Sequence, residues 1–278
     1  MKKLDFRLII KTLIKIFLMT FVWLLVSEIA GDIILSINHR SENWFTMVCE
    51  LMLEIVAIGL MYLAYEKHPQ IWAFPKENWH HQYFQGFGLG IFWFALAWLT
   101  CVFLGGFKVQ WIFKFNNLGW LILFLVGFMI QSMFEELLCR GYVMGKLLEL
   151  HLPKTALIFN SLLFMFMHIG NDGFSWLAVL DLLFFALTMS LIRLQTQNLW
   201  FVGSFHAAWN FAEGVLFGTS VSGTPKQAIV FNSITVPHKY LSNGGIFGVE
   251  GSLVSVIFDG ILLLIVGYIF YHRQVQKF

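Results

Sequence analysis

Apolar runs of membrane-crossing length dominate this chain and restrict what it can become. Eight stretches meet or approach the roughly 20 residues a helix needs to cross about 30 Å of hydrocarbon. They are Ile16–Ile37, Trp44–Tyr65, Tyr83–Phe107, Leu118–Leu138, Thr155–Ile169, Phe174–Ile192, Leu199–Phe217 and Leu253–Tyr271. Lipid offers no partner to a backbone amide, so runs of this kind satisfy their own hydrogen bonds as helices. The expected class is all-α: a polytopic membrane protein of about eight transmembrane helices, forming a single integral-membrane domain over residues 1–278. Composition agrees, because 12% of residues are charged against 58% hydrophobic, where soluble domains carry about 25% charged residues. A soluble globular protein is therefore excluded. A net charge of +2 is too small to argue for a nucleic-acid partner. Cys49, Cys101 and Cys139 lie singly inside apolar runs and read as small buried hydrophobes, with neither a disulfide framework nor a thiolate metal site.

Orientation follows from where Lys and Arg fall. With the N-terminus inside, the inner loops collect Lys2, Lys3, Arg7, Lys11, Lys15, Lys67, Lys76, Arg140, Lys146, Lys154, Arg193, Arg273 and Lys277, which is 13 of the 18 basic residues. Arg40, Lys108, Lys114, Lys226 and Lys239 fall outside. An even number of crossings then leaves the N-terminus and C-terminus cytoplasmic. The first run is too long for a signal peptide, carries Glu28 and Asp32, and lacks a small-x-small cleavage site, so it reads as an uncleaved helix. The expected location is a cell membrane, crossed many times.

An ionisable group at bilayer depth costs at least about 2.5 kcal/mol on insertion scales and needs a reason to be there. Glu28, Asp32, Glu50, Glu54, Asp181, Glu213 and Asp259 are scattered and read as packing or interfacial groups. Glu135, Glu136, Arg140, His168, His206 and Asn210 differ because they can meet. On a helix, Glu136 and Arg140 are four apart and share a face, so they pair; Glu135 points about 100° away and is left free. A free carboxylate beside an internally paired one suits a general base. Glu135 lies 18 residues before Pro153 and His168 lies 15 after it, so an antiparallel hairpin brings the two to within about one helical turn of the same level. His206 and Asn210, four apart, give one helix face two hydrogen-bond donors for an oxyanion, or simply interhelical glue. Zinc binding competes for the same groups: Glu135, His168 and His206 match the donor types of a catalytic Zn2+ site. However, the chain has no His-Glu-x-x-His helix, and the ligands would come from three separate helices.

A glutamate pair followed by x-x-x-Arg, then Phe-x-x-x-His, then His-x-x-x-Asn on successive hydrophobic helices resembles the CPBP family. That family joins type II CAAX prenyl endopeptidases to bacterial bacteriocin-processing and self-immunity proteins, and its members are intramembrane proteases. The resemblance covers Leu118 to Phe217, a catalytic core of residues 118–217. It implies that Glu135 activates water with help from His168, that His206 and Asn210 stabilise the tetrahedral intermediate, and that Glu136 and Arg140 support them. The family is usually labelled metalloprotease, whereas the spacing here leans towards a metal-free form. The run Gly244-Gly245-Ile246-Phe247-Gly248-Val249-Glu250-Gly251-Ser252 looks like the Gly-rich element of bacterial members. Its four glycines let the backbone fold back near the site or act as a lid hinge, or leave it a flexible loop, with Glu250 not taken as catalytic.

The function expected is an intramembrane endopeptidase acting on a membrane-associated or lipidated peptide or protein. The alternative is a non-catalytic membrane immunity or regulatory protein that keeps the scaffold. A proton-coupled transporter is disfavoured, since no inverted repeat or paired broken helices are seen. The hairpin count sets Glu135 and His168 about 22 to 27 Å from the Pro153 turn, towards the outer half of the bilayer.

Overall fold

The computed structural model describes residues 6–37 and 43–275. Lys2, Lys3, Arg40 and Lys277, used above for orientation, lie outside the described residues, as does the side chain of Asp32. Eleven α-helices follow in chain order among the described residues: α1 Phe6–Ile37, α2 Trp44–Leu53, α3 Ile55–Tyr65, α4 Trp79–Phe103, α5 Leu118–Glu136, α6 Met144–Glu149, α7 Pro153–Phe166, α8 Trp176–Thr196, α9 Trp200–Phe211, α10 Tyr240–Asn243 and α11 Leu253–Val275. Among the described residues, six runs are long and apolar enough to cross a membrane by length and composition. The two that fall short are α7, which stops at Phe166, and α9, which reaches only Phe211 before changing its winding.

The outer helices are dressed for lipid. Ile14, Phe17, Phe21, Leu25 and Ile29 on α1 are exposed, as are Ile257, Ile261, Leu264 and Tyr268 on α11. Such a surface would be an aggregation hazard in water and is the expected one against acyl chains. Together with the six spanning helices, it makes this a multi-pass membrane protein.

Helix α9 is the hub. Every residue from Val202 to Phe211 is buried. Helix α4 comes close enough through Gly86 and Gly90 that a Cβ at either position would collide with the Phe201 or Phe205 carbonyl. Small residues four apart let two membrane helices touch backbone to backbone. Helix α5 packs on another side of α9, which brings its glutamates towards the histidine of α9.

Two segments depart from α-helix. Leu137–Val143 is wound as a π-helix that continues α5, and Ala212–Leu216 does the same after α9. Insertions of this kind turn the downstream side chains relative to the upstream ones, and they recur at functional sites.

The all-α expectation needs correction. Helix α4 ends at Phe103 instead of running to Phe107, because Gly105 takes a positive φ of 74° and turns the chain out of the helix. Phe107–Trp111 (β1) then pairs antiparallel with Phe231–Thr235 (β2), with Val109 opposite Ser233. Ser233 accepts from Trp98 Nε1 at 2.9 Å and donates to the Phe217 carbonyl at 2.6 Å, tying this small sheet to α4 and to the end of the α9 segment.

Candidate active site

Helix α5 carries Gln131, Ser132, Glu135 and Glu136 along adjoining turns, and each finds a partner at the α9 contact. Glu136 is fully buried. Its Oε1 accepts from Arg140 Nη1 at 2.9 Å, as the four-residue spacing predicts, and also lies 3.1 Å from His206 Nδ1. Arg140 is equally buried, its guanidinium 4.4 Å from the centre of the Phe164 ring. The aromatic face is a favourable seat for a cation in a dry setting.

A carboxylate opposite Nδ1 holds the proton on that nitrogen and turns Nε2 of His206 towards the reacting side. There Nε2 lies 3.3 Å from Asn210 Nδ2 and 3.7 Å from Glu135 Oε2. Glu135 is therefore not free, as its spacing alone suggested. Gln131 Nε2 donates to Oε1 at 2.6 Å, while Oε2 has no hydrogen-bond partner. Asn210 Nδ2 is also within reach of Gln131 Oε1 at 3.3 Å and Ser132 Oγ at 3.4 Å.

His168 sits in the turn beyond α7 rather than on the helix, and it is 9% exposed. Its Nδ1 is 2.8 Å from the Phe164 carbonyl. A carbonyl can only accept, so Nδ1 carries the proton and Nε2 is left as a lone-pair nitrogen.

Glu135, His168, His206 and Asn210 all line one cavity of about 260 Å³, walled by Phe164, Leu182 and Phe185. Glu136 and Arg140 stand behind it. An adjoining cavity of about 520 Å³ shares Gln131, Glu135, His168 and Asn171, and reaches α1 at Leu24, Ser27 and Glu28. Glu135 and His168 thus stand where the two spaces meet.

Sequence reasoning missed several residues here. Gln131 and Ser132 each precede a glutamate by four, the same spacing that paired Glu136 with Arg140, so that signal was present. Asp181 and Glu250 also line the 260 Å³ cavity, but they come from α8 and from the Gly-rich run, and no local spacing links them to α5. Of the readings given for that run, folding back near the site is the one its contacts match. Gly248, at φ 99°, presses against the Ser220 carbonyl, Val249 N donates to Glu213 Oε1 at 3.1 Å, and Glu250 accepts from Trp209 Nε1 at 2.9 Å and from Ser222 Oγ.

The metal ligand set does not assemble. Among the described residues, no three His, Cys, Asp or Glu side chains are grouped to hold one ion. Both nitrogens of His206 face protein groups, and Glu135 Oε1 is taken by Gln131. The donors as arranged do not fit zinc.

Residues 117–212 match the family model described as Type II CAAX prenyl endopeptidase Rce1-like. That segment of the chain is similar to Rce1-like domains. That segment contains Glu135, Glu136, Arg140, His168, His206 and Asn210, so every residue singled out from the motifs falls inside it, and the match is consistent with the CPBP resemblance. The Rce1-like family is a protease family. Neither the curated proteins nor the solved structures give a match to the chain.

Proposed function

We propose that this protein is an intramembrane endopeptidase that hydrolyses a peptide bond of a membrane-associated or lipidated peptide, with Glu135 as the group that activates water. The observation that carries this reading is the convergence of Glu135, His168, His206 and Asn210 on one cavity inside the Rce1-like segment. Glu135 Oε2 has no hydrogen-bond partner, while Gln131 fixes the other oxygen. A water between Oε2 and His168 Nε2 gives its proton to Glu135 as it attacks the carbonyl carbon. Asn210 Nδ2 then faces the carbonyl oxygen as charge builds on it, and His206 Nε2 joins it as a donor when the imidazole carries a second proton, a form that the Glu136 carboxylate at Nδ1 favours; donors set in advance in a dry cavity act most strongly. Glu135 passes the proton on to the leaving amine, the C–N bond breaks, and a carboxylic acid and an amine are released.

Glu136 and Arg140 do not touch the reacting atoms. They hold His206 in one tautomer and orientation, a role like that of the buried aspartate behind a catalytic histidine. The Lys and Arg asymmetry between loops supports both termini lying on the cytoplasmic side of a cell membrane.

The test uses purified protein in liposomes with a mixture of membrane-spanning peptides in water enriched in 18O, read by mass spectrometry. Hydrolysis puts one 18O atom into each new carboxyl group. Peptides that all emerge intact would favour the non-catalytic reading, in which the scaffold serves an immunity or regulatory role.

A further inference from the structure

Among the described residues, the two adjoining cavities are lined by Glu28, Glu50, Glu54, Glu135, Asp181 and Glu250, and by no lysine or arginine, although the chain has 18 of these. The nearby arginine, Arg140, is bound to Glu136. Lys226, flanked by the cavity residues Pro225 and Gln227, sends its Nζ to the Ser233 carbonyl at 2.6 Å.

Asp181 and Glu250 line the catalytic cavity alone, whereas Glu50 and Glu135 line both spaces and Glu28 and Glu54 the one that reaches α1. Asp181 is 1% exposed and lines the cavity, and its Oδ1 has no hydrogen-bond partner. Glu250 lines the same space, held by donors at both oxygens, Trp209 Nε1 and Ser222 Oγ. Both oxygens of the buried Asp259 also lack partners. A buried carboxyl group without a counter-charge takes up a proton, and a cation brought against it restores the ionised form.

We propose that the Asp181–Glu250 end of the cavity is a specificity subsite for a lysine or arginine side chain of the substrate. Leu182 and Phe185 on α8 and Phe164 on α7 flank the aliphatic stem, and the charged head reaches Asp181 Oδ1, much as long basic side chains bury their stems along apolar walls. The substrate class is then a membrane-associated peptide with a cationic residue near the cut bond. A substrate gripped there by a carboxylate is disfavoured, because the cavities offer it no cationic partner. The inference rests on the proteolytic reading above only for where the cut falls; binding is separable from it.

The probes are three fluorescent Leu/Ala peptides that differ at one central position, Lys, Gln or Glu, in liposomes of neutral lipid. Binding is measured to the Glu135→Gln variant and cleavage to the unaltered protein. The Lys peptide should exceed the Gln peptide by at least about 10-fold in affinity and in kcat/KM, with the Glu peptide weakest. Asp181→Asn and Glu250→Gln should each shrink that ratio to about 2-fold or less, whereas Asp181→Glu, which keeps the charge, and Glu66→Gln, away from the cavity, should preserve it. Equal binding of Lys and Gln peptides, or a Lys preference that survives both neutral variants, overturns the subsite. Selective binding with no cleavage counts against the protease and leaves the subsite standing; cleavage without selectivity does the reverse.

Discussion

His206 Nδ1 lies 3.1 Å from Glu136 Oε1, the same oxygen that accepts from Arg140 Nη1 at 2.9 Å. The second glutamate of the pair is therefore joined to the histidine of α9 instead of facing the reaction, and the arginine anchors it from behind. The first glutamate, one residue earlier, is left to face the cavity. Adjacent positions on a helix diverge by about 100°, which is how two like residues in sequence come to serve opposite sides of one imidazole.

Glu136→Gln removes the negative charge that opposes Nδ1 and weakens control over the tautomer of His206. The expected fall in kcat is on the order of 10²- to 10⁴-fold, with little change in KM. Steady-state kinetics in liposomes gives both numbers. A change confined to KM would mean that Glu136 acts on binding instead.

Arg140→Met leaves the fully buried Glu136 carboxylate without its cation. Breaking a buried pair on one side costs about 3 to 5 kcal/mol, so unfolding in mixed micelles should shift strongly towards lower denaturant. Replacing both partners, with Glu136→Gln and Arg140→Met together, should recover part of the loss, since no buried charge is then stranded. If the double variant is as unstable as the sum of the singles, the two side chains are not coupled.

Gly90→Leu should separate α4 from α9, because a Cβ there already meets the Phe205 carbonyl and the Ala208 side chain. Overpacking of this kind costs about 1 to 3 kcal/mol, and it should displace His206 and Asn210, which α9 carries. Gly88→Leu is the matched control, since nothing lies within 4 Å of a Cβ at that position. Thermal melting of the two variants should differ clearly, and equal stability would remove the close-approach role from Gly90.

Chelation tests the metal question. With the donors of Glu135 and His206 engaged by protein groups, activity should survive a strong chelator, and protein prepared with chelator should show no gain on adding zinc. Loss of activity restored by zinc would show that the side chains regroup around an ion.

Much of the site could be read from local spacing. Glu136 with Arg140 and His206 with Asn210 are both four-residue pairs, and counting from Pro153 was enough to put Glu135 and His168 beside one cavity. What escaped depends on contacts far apart in sequence. Five-residue strands more than a hundred residues apart carry no helical-scale signal, so the β1–β2 pair was absorbed into a helix end and a loop. The π-wound turn after Glu136 looks like ordinary helix in its composition, yet it sets where Arg140 points. Glu250 reaches the cavity only because Gly248 lets its segment press against the Ser220 carbonyl. Apolarity also has two sources: α9 is apolar because it is buried in protein, whereas α7 exposes Ile158, Leu162 and Phe166, and hydropathy does not separate the two.

The most direct measurement is cleavage by Glu135→Gln beside the unaltered protein, in the same liposomes and at matched folded content. The variant keeps the size of the side chain and removes only its ability to take a proton. The account predicts that turnover falls by about 10²- to 10⁴-fold while peptide binding is retained. Cleavage at the unaltered rate by a folded Glu135→Gln protein would contradict it.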